Sequence, residues 1–231
     1  MELTSDLVLK TLRAVKDEGP EPDRTPITGP QLDELVRRVE HDAAGHDLWI
    51  FAYGSLLWNP GFEPSASEAA VAHGWHRAFS LRIQRLRAST KTPGLMLALR
   101  PGGSCSGAVL KMSAENRDED LRILLAREIR YAEVCDMMRW VSVRTPSGTR
   151  RALTFWASPK ASPLTEKIAL AEAAPLMAQA CGPAGSCAEY LRRTIVDLAE
   201  RNIYDRNLWR LQALVAARLQ EHVDPHQAAF R

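Results

Sequence analysis

The sequence predicts an α+β fold, a mixed and mostly antiparallel sheet or small barrel with helices around it. Short apolar or alternating runs cluster between Leu48 and Trp156, and amphipathic periods cluster from Pro163 onward. Strands gathered in one part of a chain and helices in another mark that class. The 231 residues are 45% hydrophobic and 25% charged, an ordinary balance with enough apolar mass for a core that folds without staples.

Two amphipathic helices are expected ahead of the strands. The first covers about Ser5 to Glu18, with Val8, Leu12 and Val15 on one face and Gly19-Pro20 as its stop. From Gly19 to Pro30, four prolines and two glycines in twelve residues read as an extended linker. The second helix starts at Pro30, in the first-turn position that proline favours, uses Leu32, Leu35, Val36 and Val39, and stops near Gly45. Residues 1–46 are thus expected to be an N-terminal helical appendage with a proline-rich linker, and 47–231 the main domain, with the chemistry independent of the appendage.

In the main domain, Leu48 to Tyr53 reads as a buried strand. Ser80 to Gln84 alternates, with Phe79, Leu81 and Ile83 on one face. Gly94–Arg100 and Gly107–Met112 read as two strands parted by a Pro101-Gly102-Gly103 turn. A charged helix follows over about Ala114 to Arg130. Val134–Val143 and Arg151–Trp156 form a hairpin around Thr145-Pro146-Ser147-Gly148. Three helices close the chain: Pro163–Cys181, Ser186–Asn202 and Asp205–His222.

Net charge is +2, from 30 basic against 28 acidic residues, too balanced for a dedicated nucleic-acid surface. No run approaches the roughly 20 apolar residues of a membrane span. The Met1–Lys16 segment carries charges where a secretory signal needs an apolar core, so the expected compartment is the cytoplasm. Cys105, Cys135, Cys181 and Cys187 form no C-x-x-C pair, and no histidine stands at zinc-finger spacing from them; they read as free thiols, and no metal is expected. Phosphate-cradling, dinucleotide-binding and nucleophile-elbow glycine motifs are all missing from the sequence. No nucleotide or metal cofactor is the resulting expectation.

Three stretches could carry chemistry. In Tyr53-Gly54-Ser55-Leu56 a buried strand ends in a glycine able to take positive φ, so successive N–H groups could form an anion-holding nest; an ordinary turn fits the same residues. Glu128 extends the stripe of Leu121, Leu124 and Leu125. A carboxylate there is desolvated and its pKa raised, which suits general acid–base work. Alternatively Ile129 takes over the stripe and Glu128 pairs with Arg127 or Arg130. Gly182-Pro183-Ala184-Gly185-Ser186 reads as a helix–helix connection, with Ser186 and Glu189 as a capping box and Tyr190 in the first turn of the next helix. His73 and His76 sit on opposite strand faces, against a shared metal. Arg82, Arg85, Arg87 and Lys91 form a solvated basic face or greet an anion.

Together these pieces resemble the ChaC family of γ-glutamylcyclotransferases, over roughly Trp49 to Leu219. Phe51-Ala52-Tyr53-Gly54-Ser55-Leu56-Leu57-Trp58 is similar to the family's F-G-Y-G-S-L-x-W opening. Gly74-Trp75-His76-Arg77-Ala78-Phe79, Pro93–Leu99, Gly107–Leu110, Arg127-Glu128 and the late Gly182–Leu191 block follow in the family's order. Ala52 stands for a usual glycine and Cys187 for a usual asparagine.

The resemblance implies a γ-glutamylcyclotransferase-like fold and a reaction that converts glutathione to 5-oxoproline and Cys-Gly, with no cofactor or metal. It implies Glu128 as the catalytic base. It places Tyr53, Gly54, Ser55 and Leu56 around the substrate carboxylate, with Tyr190 lining the cleft. Cyclotransferases for other γ-glutamyl amino acids or amines, and a non-enzymatic regulatory protein on the same fold, are the alternatives.

Overall fold

The computed structural model describes residues 1–21, 23–161 and 167–221. In chain order the elements are α1 (Ser5–Leu9), α2 (Gly29–Ala43), β1 (Trp49–Ala52), β2 (Pro64–Ile83), β3 (Gly94–Met112), α3 (Arg117–Glu128), β4 (Met138–Thr145), β5 (Gly148–Phe155), α4 (Leu170–Gln179), β6 (Cys181–Gly182), β7 (Gly185–Ser186), α5 (Cys187–Glu200) and α6 (Arg206–Glu221). They fall into two compact units. One gathers Met1–Glu21, Phe79–Leu97 and the described residues of Pro163–Arg231; the other gathers Pro22–Ala78 and the described residues of Ala98–Ser162. The division does not follow the boundary at residue 46 expected from the sequence.

The second unit is built on a closed five-stranded barrel in the order β1-β3-β2-β4-β5. β1 runs antiparallel to β3, with Phe51 opposite Val109, and closes the barrel by a parallel pairing of Ile50 with Leu153 on β5. β4 and β5 form the expected hairpin, from Met138–Phe155 to Thr145–Gly148. The sheet is therefore mixed and mostly antiparallel, as the α+β reading required. β1 is buried on both faces, which is why its sequence is a continuous apolar run rather than an alternating one. Gly107 lets β3 come close to it: a Cβ there would stand 2.2 Å from the Ala52 carbonyl oxygen.

Two strands are longer than their sequence suggests. The expected break at Pro101-Gly102-Gly103 is not one; β3 runs straight through, with Gly102 at φ 101° and Gly103 at φ 75°. Glycines bend the strand there as they do in β-bulges. Facing them, β2 takes Gly74 at φ 80°, and His76 Nδ1 lies 2.9 Å from the Gly102 carbonyl. β4 in turn begins later than expected, because Ala132–Met137 winds into a 3₁₀ turn.

Helices α2 and α3 pack on each other in this unit. α2 starts at Gly29, one residue ahead of the expected Pro30, which keeps its place in the first turn; a full capping box of Thr28 and Gln31, not read from the sequence, closes the start. Its Glu40 takes Arg117 Nε at 2.7 Å, and its Asp33 takes Arg122. Leu121, Leu124 and Leu125 of α3 are fully buried. Ahead of α2 the proline-rich segment acts as a strap. Ile27 N–H donates to the Arg130 carbonyl (3.0 Å), and Ala132 N–H donates to the Thr25 carbonyl (2.9 Å). Thr25 N–H donates to the Glu133 carboxylate (3.0 Å).

In the first unit α1 is one short turn rather than a helix to Glu18. The buried Thr11 hydroxyl bonds the Val8 carbonyl and the Ser186 hydroxyl, both at 2.7 Å, and Leu12, expected on the buried face, is 39% exposed. The chain beyond is held extended by Arg13 donating to the Gln179 carbonyl (2.9 Å) and by Asp17 pairing with Arg85 (2.8 Å). Leu3, Leu7 and Val8 are buried in this unit; Leu35, Val36 and Val39 are buried in the other. The segment 1–46 thus supplies core side chains to both units. α4 starts at Leu170, and residues 163–166 of its predicted span lie outside the described residues, as does His222 after α6.

Candidate functional site

The site residues read from the sequence collect, except for Tyr190, in the barrel unit. β1 delivers Tyr53 at the barrel end, and the chain then winds through a short 3₁₀ turn, Ser55–Leu57. Tyr53 is fixed at both ends. Its phenol donates to the Phe155 carbonyl (2.7 Å), and its own carbonyl accepts from Arg77 Nη1 (2.9 Å). Arg77 is 3% exposed and also donates to the Ser106 carbonyl on β3. Gly54 does not take the positive φ expected of it; its backbone stands at φ −144°, ψ −128°. The turn closes instead through Leu57 N–H to the Gly54 carbonyl (3.0 Å) and Asn59 N–H to the Ser55 carbonyl (2.8 Å). A helical turn leaves its first N–H groups without intrahelical partners, and here those belong to Ser55 and Leu56.

Glu128 is the last residue of α3. Ile129, fully buried, carries the apolar row onward, and Glu128 flanks it with its side chain 22% exposed. Burial raises its carboxyl pKa above the ordinary value, against the pull of the Arg127 and Arg130 guanidinium groups, which lowers it. The alternative reading holds in its main points, since Ile129 takes the row and Glu128 pairs with Arg127 Nε at 3.1 Å, while partial burial still raises the carboxyl pKa. The other carboxylates that a search for a base would turn to are engaged. Glu133 holds the Thr25 N–H, and Glu189 pairs with Arg87 (2.7 Å) and Arg193 (3.1 Å).

Arg77, and the reach of Arg127 beyond Glu128, are what sequence reasoning passed over. Arg127 joins the two halves of the site: besides Glu128 it reaches Ser55 Oγ (Nη2, 3.3 Å) and the Asn59 carbonyl. Arg77 had a readable signal. It shares the parity of Phe79, Leu81 and Ile83 on β2, so an arginine stands in the row those apolar residues occupy.

Tyr190 belongs to the first unit. It lies in the first turn of α5 as expected, but it is 2% exposed, with its ring edge-on to Phe79 (5.9 Å) and under the Arg87 guanidinium (5.7 Å). Ser186 caps α5 by accepting the Glu189 N–H (3.0 Å); the reciprocal half of the box is given up, since the Glu189 carboxylate serves the arginines. The basic face is partly neutralised in the same way, Arg85 by Asp17 and Arg87 by Glu189. Gly182 is a glycine for steric reasons: a Cβ would meet the Leu86 and Ala88 carbonyl oxygens at 2.3 Å. Cys187, in the place of an asparagine, is a buried thiol that donates to the Arg87 carbonyl (3.3 Å). Its Sγ fills the space a Cβ on Gly94 would need. All four cysteines are free. Among the described residues no cluster of three His, Cys, Asp or Glu side chains is placed to hold a metal ion, and no helix is long and apolar enough to cross a membrane.

Comparison with known proteins adds independent findings. A family model described as ChaC-like protein matches residues 48–218. The glutathione-specific gamma-glutamylcyclotransferase of Escherichia coli (strain K12) is 34% identical over 176 residues, 76% of this chain and 75% of its own length. Human glutathione-specific gamma-glutamylcyclotransferase 1 is 31% identical over 116 residues, 49% of this chain and 52% of its own. A crystal structure of the γ-glutamyl cyclotransferase specific to glutathione from yeast shares the fold, with a TM-score of 0.65 at 20% identity over 73% of this chain and 95% of the yeast one. With the barrel, Glu128 and the Tyr53–Leu56 turn all lying inside the matched span, the chain belongs to the ChaC-like family.

Proposed function

We propose that the protein is a glutathione-specific γ-glutamylcyclotransferase, with Glu128 as its base and the Tyr53–Leu56 turn as its substrate-carboxylate site. The observation that carries this reading is the desolvated Glu128 carboxylate, tied through one guanidinium to the turn whose Ser55 and Leu56 N–H groups are left without helical partners. The names of the relatives point to the same substrate.

The reaction needs little from the protein beyond holding and proton transfer. The α-amine of the γ-glutamyl group attacks its own γ-carbonyl carbon. The new C–N bond closes the five-membered ring of 5-oxoproline, and the bond to the cysteinyl nitrogen breaks. Both reacting groups belong to one molecule, so holding the chain bent supplies most of the entropic advantage. The amine is mostly protonated near neutrality and cannot attack; Glu128 takes one proton from it and returns it to the departing nitrogen, and the second proton, shed by the ring nitrogen once the new C–N bond has formed, follows the same way, so that Cys-Gly leaves as its ammonium. Holding the α-carboxylate on the backbone of the turn aims the amine at the carbonyl. Proton balance closes without water or metal. A reducing cytoplasm and a monomer complete the reading, in keeping with four free thiols.

The test is direct. Purified protein is incubated separately with glutathione, γ-glutamyl-alanine and a γ-glutamylamine, and 5-oxoproline is assayed in each. Release from glutathione with Cys-Gly as co-product is expected. Release only from the other two reassigns the substrate, and release from none leaves a binding protein on the same fold.

A further inference from the structure

The Arg127 guanidinium sits between two pieces of chain that are distant in sequence. Nε lies 3.1 Å from Glu128 Oε1, Nη2 is 3.3 Å from Ser55 Oγ, and Nη1 donates to the Asn59 carbonyl. The side chain is only 24% exposed, so these contacts are poorly screened. Gly61, at φ 82°, completes the seat: a Cβ there would come within 3.4 Å of Nη1. A planar fork with several donors can serve three acceptors at once, which a lysine ammonium at the end of a flexible stem does less well.

We infer that Arg127 is a positioning residue, one that locks the Ser55 turn and the Glu128 carboxylate at a fixed spacing so that the held substrate and its base stay in register. The inference deepens the cyclotransferase reading and rests on it for its kinetic half. Its structural half, the tie between turn and helix end, stands on the contacts alone. The charged groups acting on Glu128 are Arg127 and Arg130. The α2 carboxylates facing α3, Asp33 and Glu40, are taken up by Arg122 and Arg117. Removing Arg127 therefore leaves Arg130 as the remaining cation and favours the protonated carboxyl.

Arg127→Lys and Arg127→Met separate the two jobs. The lysine variant keeps the charge and loses the fork. It should hold the acidic limb of the kcat–pH profile near the parent's while KM rises about 3- to 10-fold, the worth of a hydrogen bond lost from the turn. The methionine variant should move that limb to higher pH and lower kcat by roughly 10- to 100-fold through misplacement of the base. A role confined to packing would move melting temperature but not the pH limb. Amide hydrogen exchange over residues 53–60 gives a readout independent of turnover. Loss of the charged hydrogen bonds should speed exchange there by about tenfold or more in Arg127→Met. Unchanged exchange in that folded variant overturns the tie, whatever the substrate. An unmoved pH limb with parent kcat overturns the positioning role. If the methionine variant does not fold, the lysine variant's KM and exchange decide, and parent values in both refute it. Failure of the cyclotransferase reading shows separately, as absence of 5-oxoproline from the parent protein.

Discussion

Arg77 Nη1 stands 2.9 Å from the carbonyl oxygen of Tyr53, with Arg77 itself 3% exposed. A buried guanidinium thus ends β1 and fixes where the Ser55–Leu57 turn begins. Arg77→Met keeps the length and removes the donors, leaving the Tyr53 and Ser106 carbonyls without that partner. Orphaning a buried acceptor costs about 1–3 kcal/mol, so a loss of about 2–5 kcal/mol for the pair is expected in denaturant unfolding. A rise in KM should accompany it as the turn loosens. Parent stability and parent KM in this variant would remove Arg77 from the role.

Glu128→Gln keeps size and removes the proton acceptor. On the proposed mechanism, losing the general base costs on the order of 10²–10⁴-fold in kcat, with substrate affinity little changed because the turn rather than Glu128 is proposed to hold the carboxylate. A carboxylate in the proposed base role works only when ionised. Its pKa is raised by burial, so the acidic limb of kcat should lie above the ordinary carboxylate range. The sign for stability follows from the same shift. A carboxyl whose folded pKa is raised contributes stability that is present below its unfolded pKa and lost as pH rises through the folded one. At pH 7 the neutral glutamine variant should therefore melt at or above the parent. A folded variant keeping more than about a tenth of parent kcat, against the expected loss, takes the base role from Glu128.

Cys187 is completely buried, and desolvation pushes its thiol up to about 12. The thiolate is the reactive form, so iodoacetamide at pH 8 should leave Cys187 untouched in the native protein. Cys135, half-buried and the most accessible of the four, is the thiol expected to label, slowly because partial burial raises its pKa too; Cys105 and Cys181 are each buried. Peptide mass spectrometry of labelled native protein reads this directly, and an adduct at Cys187 without unfolding would contradict it. Because the folded pKa is raised, the contribution of this thiol is present below the ordinary cysteine value and lost as pH climbs from about 9 through about 12.

A chain starting at Asp47 removes Leu3, Leu7, Val8, Leu35, Val36 and Val39, all buried. At about 1.5–3 kcal/mol for each such side chain, their sum is comparable to the roughly 5–15 kcal/mol by which a domain is stable. The truncated protein should show no cooperative melting transition in calorimetry. A sharp transition with parent turnover would restore residues 1–46 to a dispensable appendage.

Legibility in the sequence followed how local each signal was. The first-turn proline of α2, the Leu121–Leu125 stripe and the β4–β5 hairpin are set by residues a few positions apart, and all were readable. Glycines misled in both directions. Gly102 and Gly103 looked like a turn, but pairing with a neighbouring strand turned them into a bend. Gly54 looked like a positive-φ hinge and is not one. The first helix was read too long because Leu12 and Val15 keep its period, while the Thr11 hydroxyl answers to Ser186, 175 positions away. The place of Glu128 at the end of the α3 stripe was legible, although Ile129 and not Glu128 continues that row; the reach of Arg127 to Ser55 was not, since nothing local announces a contact across 72 positions.

The strap that joins Thr25 to Glu133 bridges 108 positions. Closing a loop of that length is a non-local event, and contacts of high sequence separation form late and slowly compared with helices and hairpins. The end of α3, where Glu128 sits, acquires its final support only then. During refolding, far-UV helical signal should return before 5-oxoproline formation does, and the lag between the two would time the docking of Thr25–Ile27 against Arg130–Ala132. Activity would be the last property the molecule regains.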